Sequence, residues 1–294
     1  MKRFALALVL PALVASAQDA PLAQRLRTER PEVEKLMEAF QPKEALAKAE
    51  ALLPAQKPTW DNADGNAQYR SYLAFQDLAS AYYLASRAAL AAGLWEKALE
   101  HAKAAQATVV DNATQAGIAF PKIVEAYEGR VKRSKETLEE NAAYIKDLRA
   151  KANPDAGDKQ QLDLVAAEER SIPENEKWAK TFQSFVDAAK KDATRFDPWV
   201  KAVDDQIKAV EAQIADYKPG KGDKSKWVDA IVSNPSYLTT GYPDKKDRVA
   251  FLFRLAVLDP ENAKVQHQLD VEMGKAPAAP VKPAKPAPKK KGKG

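Results

Sequence analysis

Apolar residues recur every three or four positions along almost the whole chain between residues 31 and 273, and this spacing limits the fold more than any other feature. It places apolar side chains on one face of an α-helix, whereas a half-buried strand needs an apolar residue at every second position. Only 11 glycines occur among the 294 residues, which leaves few positions for tight β-turns. The sequence therefore predicts an all-α fold.

The first 17 residues have the three-part arrangement of a secretory signal peptide. Lys2 and Arg3 precede an apolar run over residues 4–14, and the small residues 15–17 follow it. The run is about 11 residues long, whereas a membrane-spanning helix needs roughly 20. We expect cleavage after Ala17 and export to the periplasm or beyond, as a component of the bacterial cell envelope. No transmembrane span is expected after cleavage.

The formal net charge of +5 comes from the two ends of the chain. The leader carries two basic residues and residues 275–294 carry seven lysines, and neither segment contains an acid. Acids therefore outnumber bases by four in residues 18–274. Because a nucleic-acid-binding domain is expected to have a basic face of its own, nucleic acid is not an expected partner. The absence of cysteine excludes disulfides and thiol chemistry.

Residues 18–120 form the first predicted unit, built from antiparallel helical hairpins. Two short helices are expected between Pro31 and Pro54, separated at Pro42, with Pro31 in the first turn of the first helix. A polar loop over 54–66 follows. Two longer helices are then expected between residues 69 and 108, joined at Gly93.

Small and aromatic residues occur in a characteristic order along this second hairpin: Tyr82, Ala85, Ser86, Ala89, Gly93, Trp95, Ala98, Ala102 and Ala105. The order resembles a tetratricopeptide repeat, a 34-residue helix-turn-helix in which Ser86 takes a position usually held by glycine. One good repeat spans about 79–112, with partial repeats near 32–54 and 247–262. The resemblance implies a solenoid-like stack of hairpins.

The same resemblance implies a peptide-binding groove on the first helix of the hairpin, with candidate positions Ser80, Tyr83, Arg87, Leu90 and Ala91. In that case Tyr83 and Arg87 hold another protein or peptide by stacking and by charge. The alternative is that Tyr83 packs in the core and Arg87 is an ordinary surface charge.

Residues 121–218 are predicted to form an elongated helical bundle, with a long coiled-coil-like helical hairpin as an insertion in the fold. Narrow apolar stripes run over 124–148 and 200–217, and a third apolar face lies within 173–194. Three long antiparallel helices would pair along these stripes. A polar connection is expected at 153–160 and a linker at 218–226, and residues 219–274 are expected to form a compact helical segment.

Residues 275–294 consist almost wholly of Lys, Pro and Ala, a composition that cannot build a core and predicts a disordered tail. Its lysines are candidate contacts to anionic lipids or envelope polymers: Lys282, Lys285, Lys289, Lys290, Lys291 and Lys293. A tail that serves only solubility is the alternative.

No arrangement typical of an active site or a cofactor site stands out. The two histidines, His101 and His267, have no second histidine nearby in sequence, so a solvated or capping role is expected for them. Acid doublets such as those at 139–140, 168–169 and 204–205 do not face one another on a helix. We expect a non-catalytic interaction or scaffolding protein without a cofactor or metal. The open alternatives are a tail-tethered envelope protein and a hydrolase with dispersed carboxylates.

Overall fold

The computed structural model describes residues 21–218 and 221–276, and these residues form helices and no strand. The all-α prediction is confirmed. The helices are α1 Leu22–Glu38, α2 Pro42–Ala51, α3 Gly65–Ala91, α4 Trp95–Glu140, α5 Ala142–Ala150, α6 Ala156–Asp192, α7 Asp197–Asp216, α8 Lys224–Val232, α9 Pro235–Gly241, α10 Lys245–Leu258 and α11 Ala263–Glu272.

The first two helices pack against the long α3, and the expected hairpin between Pro31 and Pro54 is present. The placement of Pro31 in a first turn is wrong, because α1 begins at Leu22 and Pro31 lies inside it. Pro31 is exposed, so the backbone carbonyl that its ring leaves without an N–H partner faces solvent.

The turns that close the first two hairpins share one backbone geometry. In the first, Gln41 N–H donates to the Leu36 carbonyl and Phe40 N–H to the Met37 carbonyl. In the second, Leu94 and Gly93 donate to the carbonyls of Ala89 and Leu90. Both are Schellman motifs, whose closing residue takes a left-handed conformation. That residue is Gly93 in the second turn (φ +76°) and Phe40 in the first (φ +56°).

Helix α4 continues through Pro121 to Glu140, so the predicted unit boundary at 120/121 falls inside a helix. Helix α6 likewise continues through Pro173. The two helices run antiparallel. Gln106 bonds to the Ala193 carbonyl near one end of the pair, and Ser134 donates to Glu168 at 2.5 Å further along it.

Residues 121–192 are here called the arm, and they contain the far half of α4, the short α5 and the whole of α6. An aromatic cluster holds the base of the arm against the start of α3. Phe120 and Phe182 lie 5.4 Å apart between their ring centroids, and Phe120 and Tyr72 lie 5.6 Å apart. The arm therefore projects from a firmly packed base.

The predicted three-helix bundle over 121–218 is wrong in its third member. The apolar stripe of α7, including Val203, Ile207 and Ile214, lies in the main core with α1–α3, the start of α4 and α8–α11. These helices are here called the body. The stripe on α7 was correctly located, but the body rather than the arm covers it.

The C-terminal helices join the body through the turn at Gly93. A Cβ added at Gly93 would lie 2.4 Å from the Phe253 carbonyl carbon and 2.5 Å from the Arg254 nitrogen, so the two backbones touch. Arg254 is 3% exposed, stacks over Trp95 at 4.9 Å and donates to the Glu96 carboxylate at 2.8 Å.

The leader at 1–17 and the tail lysines from Lys282 to Lys293 lie outside the described residues, so the structure says nothing about their predicted roles. None of the described helices combines the length and the apolar composition needed to cross a lipid bilayer.

Candidate functional site

A groove of about 480 Å³ opens on the body between α1, α3, α10 and the start of α7, and it is here called the body groove. Its lining comes from four segments: Glu34, Met37, Glu38, Phe40 and Pro42 on α1 and the following turn, Arg87, Leu90 and Ala91 on α3, Trp199 on α7, and Lys246, Asp247, Val249, Ala250 and Phe253 on α10. Three aromatic rings thus stand among charges of both signs.

Three of the five predicted groove positions, Arg87, Leu90 and Ala91, line this groove together. The other two are separated from it. Tyr83 packs between Phe196 and Trp199, with ring centroids 5.2 and 5.5 Å away. The Ser80 hydroxyl donates to the carbonyl of Gln76 on its own helix at 2.9 Å.

Residues just before and at the start of α7 cover the Tyr83 end of the α3 face. Phe196 is buried there, and Trp199 closes the groove on that side. The chain therefore fills half of the predicted groove with its own aromatic rings, and the open half is the part that contains Arg87.

Trp199 is held in place by a buried serine. Its indole N–H donates to the Ser86 hydroxyl at 2.8 Å, and that hydroxyl donates to the Ala98 carbonyl at 2.7 Å. A glycine at position 86 would remove this bridge between α3, α4 and α7. The serine that departs from the repeat pattern thus fixes one wall of the groove.

The charge on Arg87 is partly satisfied within the groove. Its guanidinium lies 3.3 Å from Glu34 Oε1 and 5.9 Å from the centre of the Tyr83 ring. The hydrogen bond from Arg30 is the main cause that lowers the pKa of Glu34, and Arg87 lowers it further, while partial burial opposes both. Glu34 is therefore anionic at neutral pH and orients Arg87.

Three charged side chains on the groove rim have no such partner. Glu38, Lys246 and Asp247 are exposed and form no ion pair with any described residue. Unpaired charges around an apolar floor can be satisfied by polar groups of a ligand without loss of an existing salt bridge.

Phe40 supplies an aromatic wall from a conformation that a phenylalanine rarely adopts. Its φ of +56° costs about 1–2 kcal/mol relative to a right-handed conformation. Strained residues of this kind persist where the surroundings require the side chain. Here the ring lines the groove and lies 5.3 Å from Lys245 Nζ.

Sequence reasoning missed the aromatic and acidic half of the groove. Phe40 and Phe253 lie in the two partial repeats near 32–54 and 247–262, so the resemblance held a signal for both. Asp247 lies at the start of the second partial repeat, but Trp199 lies outside both repeats and had no such signal, since its approach to α3 depends on the tertiary fold.

A second groove of about 890 Å³ runs along the arm between α4 and α6. Its floor includes Val131 and Ala179, and its rims carry lysines and acids of both helices. Lys135 and Glu176 pair across it at 2.9 Å. This arm groove has a larger volume than the body groove, and acids outnumber bases in the linings of both.

The predicted solvated or capping role for His101 is wrong. His101 is buried, and its Nε2 lies 2.9 Å from Glu50 Oε1, which also pairs with Lys97 at 2.6 Å. This contact ties α2 to α4. His267 is exposed.

Two of the three acid doublets, at 168–169 and 204–205, have partners of their own on the helix faces. Glu169 accepts two hydrogen bonds from Arg149, while Asp204 and Asp205 pair with lysines on α7. Among the residues that the structure describes, no group of three potential metal ligands comes together.

The chain matches no protein-family model, and neither a curated protein nor a solved structure gives a significant match. The tetratricopeptide resemblance stays a prediction.

Proposed function

We propose that this chain is an exported, non-catalytic interaction or scaffolding protein of the bacterial cell envelope, and that it holds a short peptide segment of a partner protein in the body groove. The single observation that carries the proposal is the groove itself, with three aromatic walls and three unpaired charges on its rim. Export is supported by the leader-like arrangement of residues 1–17.

The size and lining of the groove favour a peptide. A volume of about 480 Å³ lies within the usual range of ligand sites, which bury mostly apolar surface and orient the ligand with a few polar groups. Phe40, Trp199 and Phe253 provide rigid flat surfaces for apolar side chains. Glu38, Asp247 and Lys246 lie where backbone or charged groups of a peptide would reach them.

Position-specific crosslinking tests the proposal. A photoreactive phenylalanine is placed at Leu90 in the groove and, as a matched control, at Glu140 near the far end of the arm. The mature proteins are irradiated in the native envelope fraction. We expect the same partner band from the groove position in repeated experiments and none from the control.

The Phe40→Gly variant makes the test specific. Glycine relieves the left-handed strain at this turn, so the variant is expected to fold, but it removes one aromatic wall. We expect the crosslinked band at Leu90 to weaken by about tenfold, the scale of a lost aromatic contact at an interface. Crosslinked bands of equal intensity from the groove and arm positions would contradict the proposal. A band at Leu90 whose intensity is unchanged in the Phe40→Gly variant would contradict it too.

The lysines of the tail support a second candidate, attachment to anionic lipids or wall polymers. Seven lysines and no acid occur in residues 275–294, and each basic residue near an anionic surface contributes roughly 1 kcal/mol at low salt. Deletion of residues 275–294 should then reduce sedimentation with envelope membranes at low salt. Sedimentation that the deletion leaves unchanged would remove this candidate.

A further inference from the structure

The described chain ends against α10, the helix that supplies one wall of the body groove. Helix α11 lies along α10, where Arg248 pairs with Glu272 at 3.0 Å. With about 100° of rotation per residue, Arg248 lies on the side of α10 opposite the groove residues Lys246, Val249 and Ala250. After α11 the chain closes with the amides of Lys275 and Ala276 on the Asp270 carbonyl. A chain that continues from Ala276 therefore has to pass over α10 to reach the groove.

The sequence that follows has prolines at every third position. Pro277, Pro280, Pro283 and Pro286 form this series, and Lys282 and Lys285 repeat at the same interval. A polyproline II helix has three residues per turn, so this spacing places the four prolines on one side and the two lysines on another. Such a segment presents an apolar ridge beside a basic one.

The body groove complements both ridges. Grooves lined by aromatic residues bind polyproline II segments, whose prolines pack on the flat rings. Phe40, Trp199 and Phe253 provide those rings, and the unpaired Glu38 and Asp247 provide negative charge for the lysines. Acids outnumber bases among the charged lining residues even when the Arg87–Glu34 pair is set aside.

The length of the segment is sufficient. Ten residues from 277 to 286 span roughly 31 Å in the polyproline II conformation. Passing over α10 takes roughly 10 Å, the width of one helix, and a path from α10 across to α1 covers about two interhelical spacings, roughly 20 Å. The segment is therefore just long enough to reach across the groove.

We propose that residues 277–286 dock in the body groove of their own chain and compete there with the partner peptide. The inference rests on the groove of the proposed function and adds a regulatory ligand to it. Because the segment is tethered, its effective concentration reaches the millimolar range, so even a weak contact occupies the groove. A partner then has to displace it.

The test uses the mature full-length protein, a chain that ends at Ala276, and a fluorescent synthetic peptide of residues 277–294. Fluorescence anisotropy measures peptide binding to each protein. We expect the shortened chain to bind the peptide at least about tenfold more tightly than the full-length chain, whose groove is already occupied.

Two controls make the result specific. A peptide of the same composition, with its prolines moved off the three-residue interval, should bind the shortened chain at least about tenfold more weakly. In the shortened chain, Asp247→Asn and Ala250→Trp should weaken binding of the native peptide, whereas Glu140→Gln on the arm should not. Asp247 is exposed, so its change leaves the core intact.

Equal binding of the native peptide to the full-length and shortened chains would overturn the inference. So would equal binding of the native and rearranged peptides to the shortened chain, if high salt abolishes both, because that result indicates nonspecific attraction of the lysines. If the full-length chain self-associates with rising concentration and the shortened chain does not, the segment docks on a second copy. That result would overturn docking within one chain. If the shortened chain crosslinks a partner at Leu90 but does not bind the peptide, only this inference fails. If it binds the peptide but crosslinks no partner, docking of residues 277–286 stands, whereas the proposed function and the competition with a partner fail.

Discussion

Gly93 occupies the most constrained backbone position of the body. It closes α3 in a left-handed conformation, and the backbone of Phe253 and Arg254 approaches the space where a Cβ would lie. One residue thus satisfies both a turn and a contact between segments 160 residues apart in sequence.

Gly93→Ala should destabilise the protein by about 2–4 kcal/mol, since it adds left-handed strain to a backbone clash. Gly117→Ala is the matched control, because Gly117 is exposed inside α4 with no atom within 4 Å of an added Cβ. The control should stabilise the protein by up to about 1 kcal/mol through helix propensity. Urea denaturation measures both, and equal effects of the two substitutions would contradict this account.

The Glu96–Arg254 pair makes part of the stability depend on pH. Hydrogen bonds from Arg254 are the main cause that lowers the pKa of Glu96 below its ordinary 4.5. A carboxylate with a lowered pKa adds stability above the unfolded value, and this stability is lost as pH falls through the folded value. The contribution is therefore complete at neutral pH and begins to be lost as pH falls below about 4.5.

Glu96→Gln should cost about 1 kcal/mol at neutral pH, less than a fully buried pair because the Glu96 side chain is 63% exposed. The difference from the unmodified protein should shrink as the pH falls below 4.5. Denaturation curves at several pH values measure it, with Glu140→Gln as a control outside the ion pairs. A difference that stays constant down to acid pH would show that the charge of Glu96 is not its cause.

At the scale of elements, the joint between α3, α4 and α7 depends on one hydroxyl. The Ser86 hydroxyl accepts a hydrogen bond from the indole N–H of Trp199 and donates one to the carbonyl of Ala98, and all three groups lie within the body. Since the indole has this partner in a half-buried site, removal of the hydroxyl leaves a donor unsatisfied.

Ser86→Ala should therefore cost about 1–3 kcal/mol. Trp199→Phe removes the donor together with its need for a partner, so the double variant should be less destabilised than the sum of the single changes by about 1 kcal/mol. Urea denaturation of the four proteins completes the cycle. Strict additivity would mean that the two side chains do not interact.

The apolar period predicted where helices lie, but it could not predict which helices pair. The apolar stripe on α7 was located correctly. A stripe shows only that some apolar surface covers it, however, and here that surface belongs to the body rather than to the arm. The predicted unit boundary at 120/121 and the start of the third apolar face at residue 173 both coincide with a proline, a residue that usually breaks a helix. Both prolines are exposed, so each helix continues at the loss of one hydrogen bond on its solvent side.

The groove shows the same limit. Arg87, Leu90 and Ala91 were predicted from a local repeat-like pattern on one helix, and the structure places them together. Trp199 comes from a helix more than 100 residues further along the chain and lies outside the partial repeats. Only the tertiary fold brings it to α3, so no local pattern could have identified it.

At the scale of the whole molecule, the arm and the body share α4 but have separate cores. Helix α4 is 46 residues long, so it extends roughly 69 Å and reaches well beyond the body. The aromatic cluster at the base, which includes Phe120 and Phe182, lies where the arm meets the body. Beyond it the arm relies on its own α4–α6 contacts.

This division predicts that the outer arm can be removed. Phe120 faces Phe182 and Ser134 lies beside Glu168 and Ser171, so Arg130 and Pro173 stand near one another across the antiparallel pair. A chain in which a short Gly-Asn-Gly loop replaces residues 131–172 should keep a cooperative thermal transition, because the body core and the base cluster remain whole. It should also keep the crosslink at Leu90.

A matched chain with the same loop in place of residues 113–189 lacks the base cluster and should lose the sharp transition, since Tyr72 and the start of α3 are then uncovered. If both chains unfold alike, the arm and body form one cooperative unit.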